Sequence, residues 1–185
     1  KEMFGYSSMA DRLCAGIDLH TQMASRLLGI TYEVAKANKG RPDVKHARNL
    51  AKAVNFGFGG GMGAARFVVQ AKKSYGLIFT EDEARAYKKL YMEENPEMWE
   101  FFDHVASLTS SGQGLVETPG SQMLRLVHGK GAYPAGCNQH FQGPVAFGAC
   151  EALFYVSWEC YVDKGTALYG SRPQFFIHDE IVTAH

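Results

Sequence analysis

Three observations predict an α+β protein that is mainly helical. Segments with helical spacing of apolar residues, each bounded by a capping residue or a glycine, occupy most of residues 8 to 111. An apolar run from about 141 to 162 has the length of one more helix. Two pairs of short β-rich runs, at 115–127 and 173–184, are each joined by a tight connection and read as antiparallel hairpins.

The elements follow in order. Residues 8 to 15 read as a short helix closed by Gly16. Asp18 can N-cap a helix over 19–28, with Gly29 as its stop. Residues 36 to 42 read as a basic loop, and Asp43 can cap the helix after it. The string Gly59-Gly60-Gly61-Met62-Gly63-Ala64 matches the G-x-G-x-x-G/A pattern of a dinucleotide-binding turn. That turn must follow a strand, and here the string follows a helix, so it reads as a flexible junction between two helices. Residues 64–75, apolar at Phe67, Val68, Ala71 and Tyr75, form a helix ended by Gly76. Thr80-Glu81-Asp82-Glu83 is a capping box, opening a helix whose inner face is Ala84, Tyr87, Leu90 and Tyr91. Asn95-Pro96 caps another, with Trp99, Phe102, Val105 and Ala106 turned inward.

Residues 115–118 and 122–127 pair across Pro119-Gly120. A glycine-rich loop is expected at 129–136, and the 141–162 helix, apolar on most sides, is expected to be buried between other elements. Asn138 and Gln142 stand four apart at its entrance, where amides can cap it. Runs at 173–177 and 181–184 flank His178-Asp179-Glu180. An acidic pair between apolar strands is costly to hold unless it binds cations or lies at the surface.

Composition narrows the function. The chain of 185 residues is 46% hydrophobic, enough for a core in one domain or a little more. Lys plus Arg equals Asp plus Glu at 19 each, so the chain lacks the overall basic charge that many nucleic-acid-binding domains carry. The charge is segregated instead. Residues 36 to 52 hold Lys36, Lys39, Arg41, Lys45, Arg48 and Lys52 against Asp43, while residues 80 to 103 hold eight acids against Arg85, Lys88 and Lys89. A local basic patch beside an acidic segment fits a protein that meets phosphate on one face only. The acids of 80–103 lie on amphipathic helices and are expected to face water. Cys14, Cys137, Cys150 and Cys160 form no CxxC pair and read as reduced thiols of an intracellular protein. Neither a signal peptide nor an uninterrupted run of about 18 apolar residues occurs, against secretion and membrane spanning. The chain starts at Lys1 and ends directly after a strand-like run, so both ends are expected to continue into a longer protein.

The residues with the most chemistry lie between Lys45 and Gly61. Steps of four return to one side of a helix, so Arg48, Lys52 and Phe56 make a stripe of two cations and an aromatic, suited to a triphosphate with its sugar or base. Leu50 and Val54 mark a second, apolar face that can dock the helix onto a core. Taken alone, on a helix of no other distinction, Arg48 and Lys52 read better as solvated surface charges.

The pattern Arg-x3-Lys-x3-Phe-Gly, after a basic loop and before glycines, resembles motif B, the fingers helix of family A DNA polymerases, the bacterial DNA polymerase I class. Asp18-Leu19-His20 upstream, and Asn138-x3-Gln142-Gly143 and Ile177-His178-Asp179-Glu180 downstream, resemble the family's other motifs in their order, across nearly the whole chain. The resemblance implies fingers over about 17–111 and a portion of an antiparallel palm over about 112–185. The upstream palm segment with the first catalytic aspartate, and the thumb, would lie outside this chain.

The implied activity is DNA-directed DNA synthesis: a primer 3′-hydroxyl attacks the α-phosphate of a deoxynucleoside triphosphate and releases pyrophosphate, with two Mg²⁺ ions in the complete site. By resemblance, Asp179 holds the metals, Glu180 assists beside them, and Lys52 serves catalysis. His20, Arg48, Lys52 and Phe56 bind the nucleotide, Phe56 against the sugar. Asn138 and Gln142 face the DNA minor groove, and His178 contacts the primer end. The implied partners are primer-template DNA, deoxynucleoside triphosphates and the remaining palm and thumb. The implied location is the cytoplasm of a bacterial or phage-infected cell.

Gly60 stands where the family usually has tyrosine, Pro134 where bacterial members often have arginine, and Phe147 where aspartate is frequent. These departures fit a phage or mobile-element branch. Residues 1 to 17 hold no D-Y-S-x-I-E-type motif, so the isolated chain is expected to be inactive. The alternatives are a single-subunit RNA polymerase-like enzyme, which shares the palm and a cationic fingers helix, and a non-catalytic nucleic-acid-binding module.

Overall fold

The computed structural model describes residues 3–118, 120–121, 123–177 and 180–185. The helices of the first part are α1 (Ser8–Cys14), α2 (Leu19–Leu28), α3 (Tyr32–Ala37), α4 (Pro42–Gly59), α5 (Ala64–Tyr75), α6 (Glu81–Glu94) and α7 (Glu97–Thr109). They are followed by strands β1 (Gln113–Thr118) and β2 (Met123–His128), a 3₁₀ turn, helix α8 (Ala132–Tyr161), and strands β3 (Arg172–Ile177) and β4 (Glu180–Ala184). The fold is thus α+β and mainly helical, with two two-stranded sheets among the described residues. No helix of the described residues is long and apolar enough to cross a membrane. The chain divides into two compact units, Lys1–Val116 with Leu126–Asn138, and Glu117–Arg125 with Gln139–His185.

In the first unit α4 is the central element, packed on α2, α5 and α6. Its buried side is Val44, Ala47, Ala51, Val54 and Phe58, returning every three or four residues as a core-facing helix requires. Phe58 lies 4.3 Å from the ring of Phe67 on α5, centroid to centroid, and 6.3 Å from that of Tyr91 on α6. Gly57 permits this packing, since a Cβ there would stand 2.7 Å from the Phe67 ring. The glycines after α4 make the junction to α5. They form a hydrogen-bonded Schellman stop, with Gly61 N–H donating to Phe58 O at 2.9 Å and Met62 N–H to Gly57 O at 3.2 Å. Gly61 has φ +75, and a Cβ on it would also meet Cys137 Sγ at 2.7 Å, so only glycine fits.

Several local expectations hold, including the span and both caps of α2, the span of α5 and the Thr80/Glu83 capping box. Others are corrected. Part of the basic loop is α3, N-capped by Thr31. Asp43 does not cap α4: Pro42 starts that helix, its φ already suited to the first helical position, and Asp43 in the first turn pairs with Arg41 at 2.6 Å. Asn95 turns back onto Tyr91 O rather than capping α7. Trp99 is 62% exposed and Ala106 is exposed, because the inner face of α7 is Met98, Phe101, Phe102 and Val105.

Two acids of the 80–103 segment also depart from the expectation that they face water. Glu97 is buried, accepting from Ser7 Oγ at 3.0 Å, Ser8 Oγ at 2.7 Å and Met9 N–H at 2.9 Å, and so ties the start of α1 to α7. Burial pushes its carboxyl up, but the Met9 N–H and the two serine hydroxyls outweigh that and hold it below its ordinary value. Glu94 pairs with Arg26 at 2.8 Å and Arg12 at 3.3 Å.

In the second unit, Gln139 of α8 donates to Thr118 Oγ1 at 2.5 Å and accepts from Arg125 at 3.1 Å. A Cβ at Gly143 would stand 2.7 Å from Gln139 Nε2 and 2.8 Å from Thr118, so glycine lets this corner close. α8 begins nine residues earlier than expected, at Ala132, absorbing most of the predicted glycine-rich loop and continuing through Pro144. Asn138 and Gln142 therefore lie inside the helix rather than capping its entrance. Nor is the 141–162 portion buried: Val145, Phe154, Tyr155, Trp158 and Val162 are each at least half exposed. β3 and β4 pair antiparallel, from Arg172 opposite Ala184 to Ile177 opposite Glu180, and Phe175, Phe176, Ile177 and Val182 are exposed.

Candidate functional site

The packing of α2 on α4 brings together the four residues expected to hold a nucleotide. His20 sits in the first turn of α2, and its ring lies 5.3 Å from that of Phe56, centroid to centroid. Asn55 Nδ2 donates to His20 Nδ1 at 3.0 Å. With Nδ1 an acceptor, the proton of the neutral ring is on Nε2. Burial lowers the pKa of His20, and Lys52 and Arg48 lower it further against the opposing effect of Asp18. The ring is therefore neutral at pH 7 and offers an Nε2–H donor. Lys52 is exposed and Phe56 is 65% exposed.

Arg48 is the constrained member. Its Nε donates to Thr21 Oγ1 at 2.9 Å and its Nη2 to Asp18 Oδ2 at 2.9 Å. Thr21 Oγ1 donates in turn to the same Asp18 oxygen at 2.7 Å, and Lys39 Nζ donates to it at 3.0 Å. The other Asp18 oxygen accepts from the backbone N–H groups of His20 and Thr21, the N-cap bonds of α2. Burial pushes the Asp18 carboxyl up, but the bonds from Thr21, Lys39 and Arg48 hold it well below the usual carboxylate range. Asp18 reads from sequence only as a cap. Its second role needs α4 folded across α2, and neither Thr21 nor Lys39 carries a local signal for it.

The face is an open surface. The cleft beside Phe56, lined by Ala53, Gly57, Met62 and Phe67 among others, holds about 100 Å³, too small for a nucleotide. A wider cleft of about 510 Å³, lined by Arg85, Lys88, Met92 and Trp99 among others, contains none of the expected site residues.

The remaining expected residues are less defined. Asn138 and Gln142 are both exposed, one turn apart in α8. His178 and Asp179 lie outside the described residues. Glu180, exposed, opens β4. Among the described residues no three His, Cys, Asp or Glu side chains group as metal ligands. Glu180 is the one described carboxylate of the implied metal site, and one carboxylate does not hold two Mg²⁺ ions. Comparison with protein-family models and with curated proteins yields no match.

Proposed function

We propose that this chain is the fingers and part of the palm of a template-directed DNA polymerase similar to family A, and that its α2–α4 face binds the triphosphate of the incoming deoxynucleotide. The observation that carries the reading is the convergence of His20, Arg48, Lys52 and Phe56 on one face of two packed helices. Arg48 and Lys52 neutralise the polyphosphate as charge moves onto the departing pyrophosphate. The Nε2–H of His20 donates to a phosphate oxygen, and the exposed ring of Phe56 flanks the sugar. Asn138 and Gln142 supply amide donors to minor-groove purine N3 and pyrimidine O2, acceptors common to correct pairs, so pairing is tested without reading sequence. The roles of His178, Asp179 and Glu180 rest on the resemblance alone. The exposed apolar faces of the second unit fit cover by further palm segments.

The test places Arg48→Ala and Lys52→Ala in the complete polymerase. Each is expected to lower the single-turnover rate about a hundredfold, roughly 3 kcal/mol of transition-state stabilisation, with primer-template affinity nearly unchanged. Unchanged rates at saturating nucleotide would remove both residues from the site. Faster incorporation of ribonucleotides than of deoxynucleotides would point to the RNA polymerase-like alternative.

A further inference from the structure

Resting on the triphosphate reading, we infer that Asp18 is a positioning residue for Arg48: with Thr21 it clamps the Nε–Nη2 edge of the guanidinium, leaving Nη1 for a phosphate oxygen. The arrangement is a closed triangle. Arg48 Nε bonds Thr21 at 2.9 Å, Thr21 bonds Asp18 at 2.7 Å, and Asp18 returns to Arg48 Nη2 at 2.9 Å. Two bonds to adjacent nitrogens of a planar fork fix both the position and the plane of the guanidinium. Arg48 Nη1 makes no hydrogen bond among the described residues.

The triangle is anchored on both sides. Thr21 is fully buried on α2, and Asp18 is held by the two backbone N–H groups that it caps. The Arg48 side chain itself is 25% exposed, so its outer part can still reach a ligand. An arginine that is already ordered loses less side-chain freedom when a phosphate arrives, which is the advantage of preorganisation. Lys39 Nζ on the same Asp18 oxygen keeps the cluster cationic in spite of the carboxylate.

The two roles open to Asp18 predict opposite signs. A carboxylate that only competes with an anionic ligand weakens binding, and its neutralisation tightens it. A carboxylate that positions Arg48 strengthens binding, and its neutralisation loosens it. Asp18→Asn separates the two, since asparagine is as good an N-cap as aspartate and keeps α2 intact while removing the charge.

The experiment titrates dATP into the chain by calorimetry for the parent, Asp18→Asn, Arg48→Ala and the double variant. In parallel, side-chain ¹⁵N NMR follows the Arg48 Nε–H, assigned by its loss in Arg48→Ala. Asp18→Asn is expected to weaken dATP binding about fivefold in the parent and to have no weakening effect once Arg48 is alanine. The Arg48 Nε–H is expected to exchange slowly in the parent and rapidly in Asp18→Asn. Tighter binding by Asp18→Asn, or equal weakening in both backgrounds, overturns the positioning role while leaving the triphosphate reading standing. Equal Nε–H exchange in parent and variant overturns the clamp whatever the ligand does. A parent that binds no dATP, with its Nε–H still protected, overturns the triphosphate reading and makes the triangle a purely structural contact.

Discussion

The α2–α4 face and the second unit handle exposure in opposite ways. On the α2–α4 face the groups left at the surface are polar or charged apart from Phe56, and two of them are held: Arg48 by Asp18 and Thr21, His20 by Asn55. Behind it Ala51, Val54 and Phe58 are almost completely buried. The second unit exposes apolar groups instead, with Phe154, Tyr155 and Trp158 on α8 and Phe175, Ile177 and Val182 on a hairpin of two strands. A two-stranded sheet is marginal without a further layer. The comparison teaches that this chain carries one face that is finished by its own contacts and another that is not.

The largest expected effect lies in the core behind the finished face. Phe58→Ala should destabilise the first unit by about 3–5 kcal/mol, seen as a lowered denaturation midpoint, because Phe67 and Tyr91 cannot collapse onto the void without moving two helices. Trp158→Ser on α8 should change stability by no more than about 0.5 kcal/mol, since Trp158 is exposed and belongs to no core cluster among the described residues. A Trp158→Ser loss as large as that of Phe58→Ala would erase the contrast between the two regions.

This contrast also separates what the sequence discloses from what it does not. Local chemistry is legible: Asp18, Gly29, Gly76 and the Thr80/Glu83 pair set element ends through bonds within a few residues, and they fall where expected. The stripe of Arg48, Lys52 and Phe56 is legible because helical spacing fixes it. Long-range partners are not. That Asp18 reaches Arg48, or that Glu97 bonds Ser7, depends on chain folding across dozens of residues with no local mark. The apolar character of α8 shows what favours burial and is silent on what covers it. The exposure of Trp99 is not legible, because helical spacing alone does not choose between the two flanks of an apolar stripe.

Intermediate effects sharpen the account through pH. Asp18 and Glu97 both have folded-state pKa values below their unfolded values, near 3.8 and 4.5. Their contribution is therefore complete at pH values above those unfolded values, and is lost as pH falls through them toward the folded values. Chemical denaturation from pH 7 to pH 3 should show stability falling below about pH 4.5. Asp18→Asn and Glu97→Gln should each flatten part of that fall, and a slope unchanged in both variants would mean these carboxylates are not the groups that titrate.

If the proposed polymerase reading holds, the smallest expected effect on ordinary synthesis comes from Phe56→Tyr placed in the complete enzyme, at the position that the family resemblance sets beside the sugar. A tyrosine hydroxyl can take the place of the hydrogen bonding of a substrate 3′-hydroxyl, so incorporation of dideoxynucleotides should rise well above any change in that of ordinary ones. Equal selectivity in variant and parent would count against Phe56 lying beside the sugar.

The central claim is that the α2–α4 face recognises a triphosphate. The most direct measurement is calorimetric titration of dATP into this chain, compared with the Arg48→Ala/Lys52→Ala double variant and with Glu180→Gln. The account predicts binding by the parent, a loss of at least about tenfold in the double variant, and little change in Glu180→Gln. Equal affinity in parent and double variant, or a loss confined to Glu180→Gln, would contradict it.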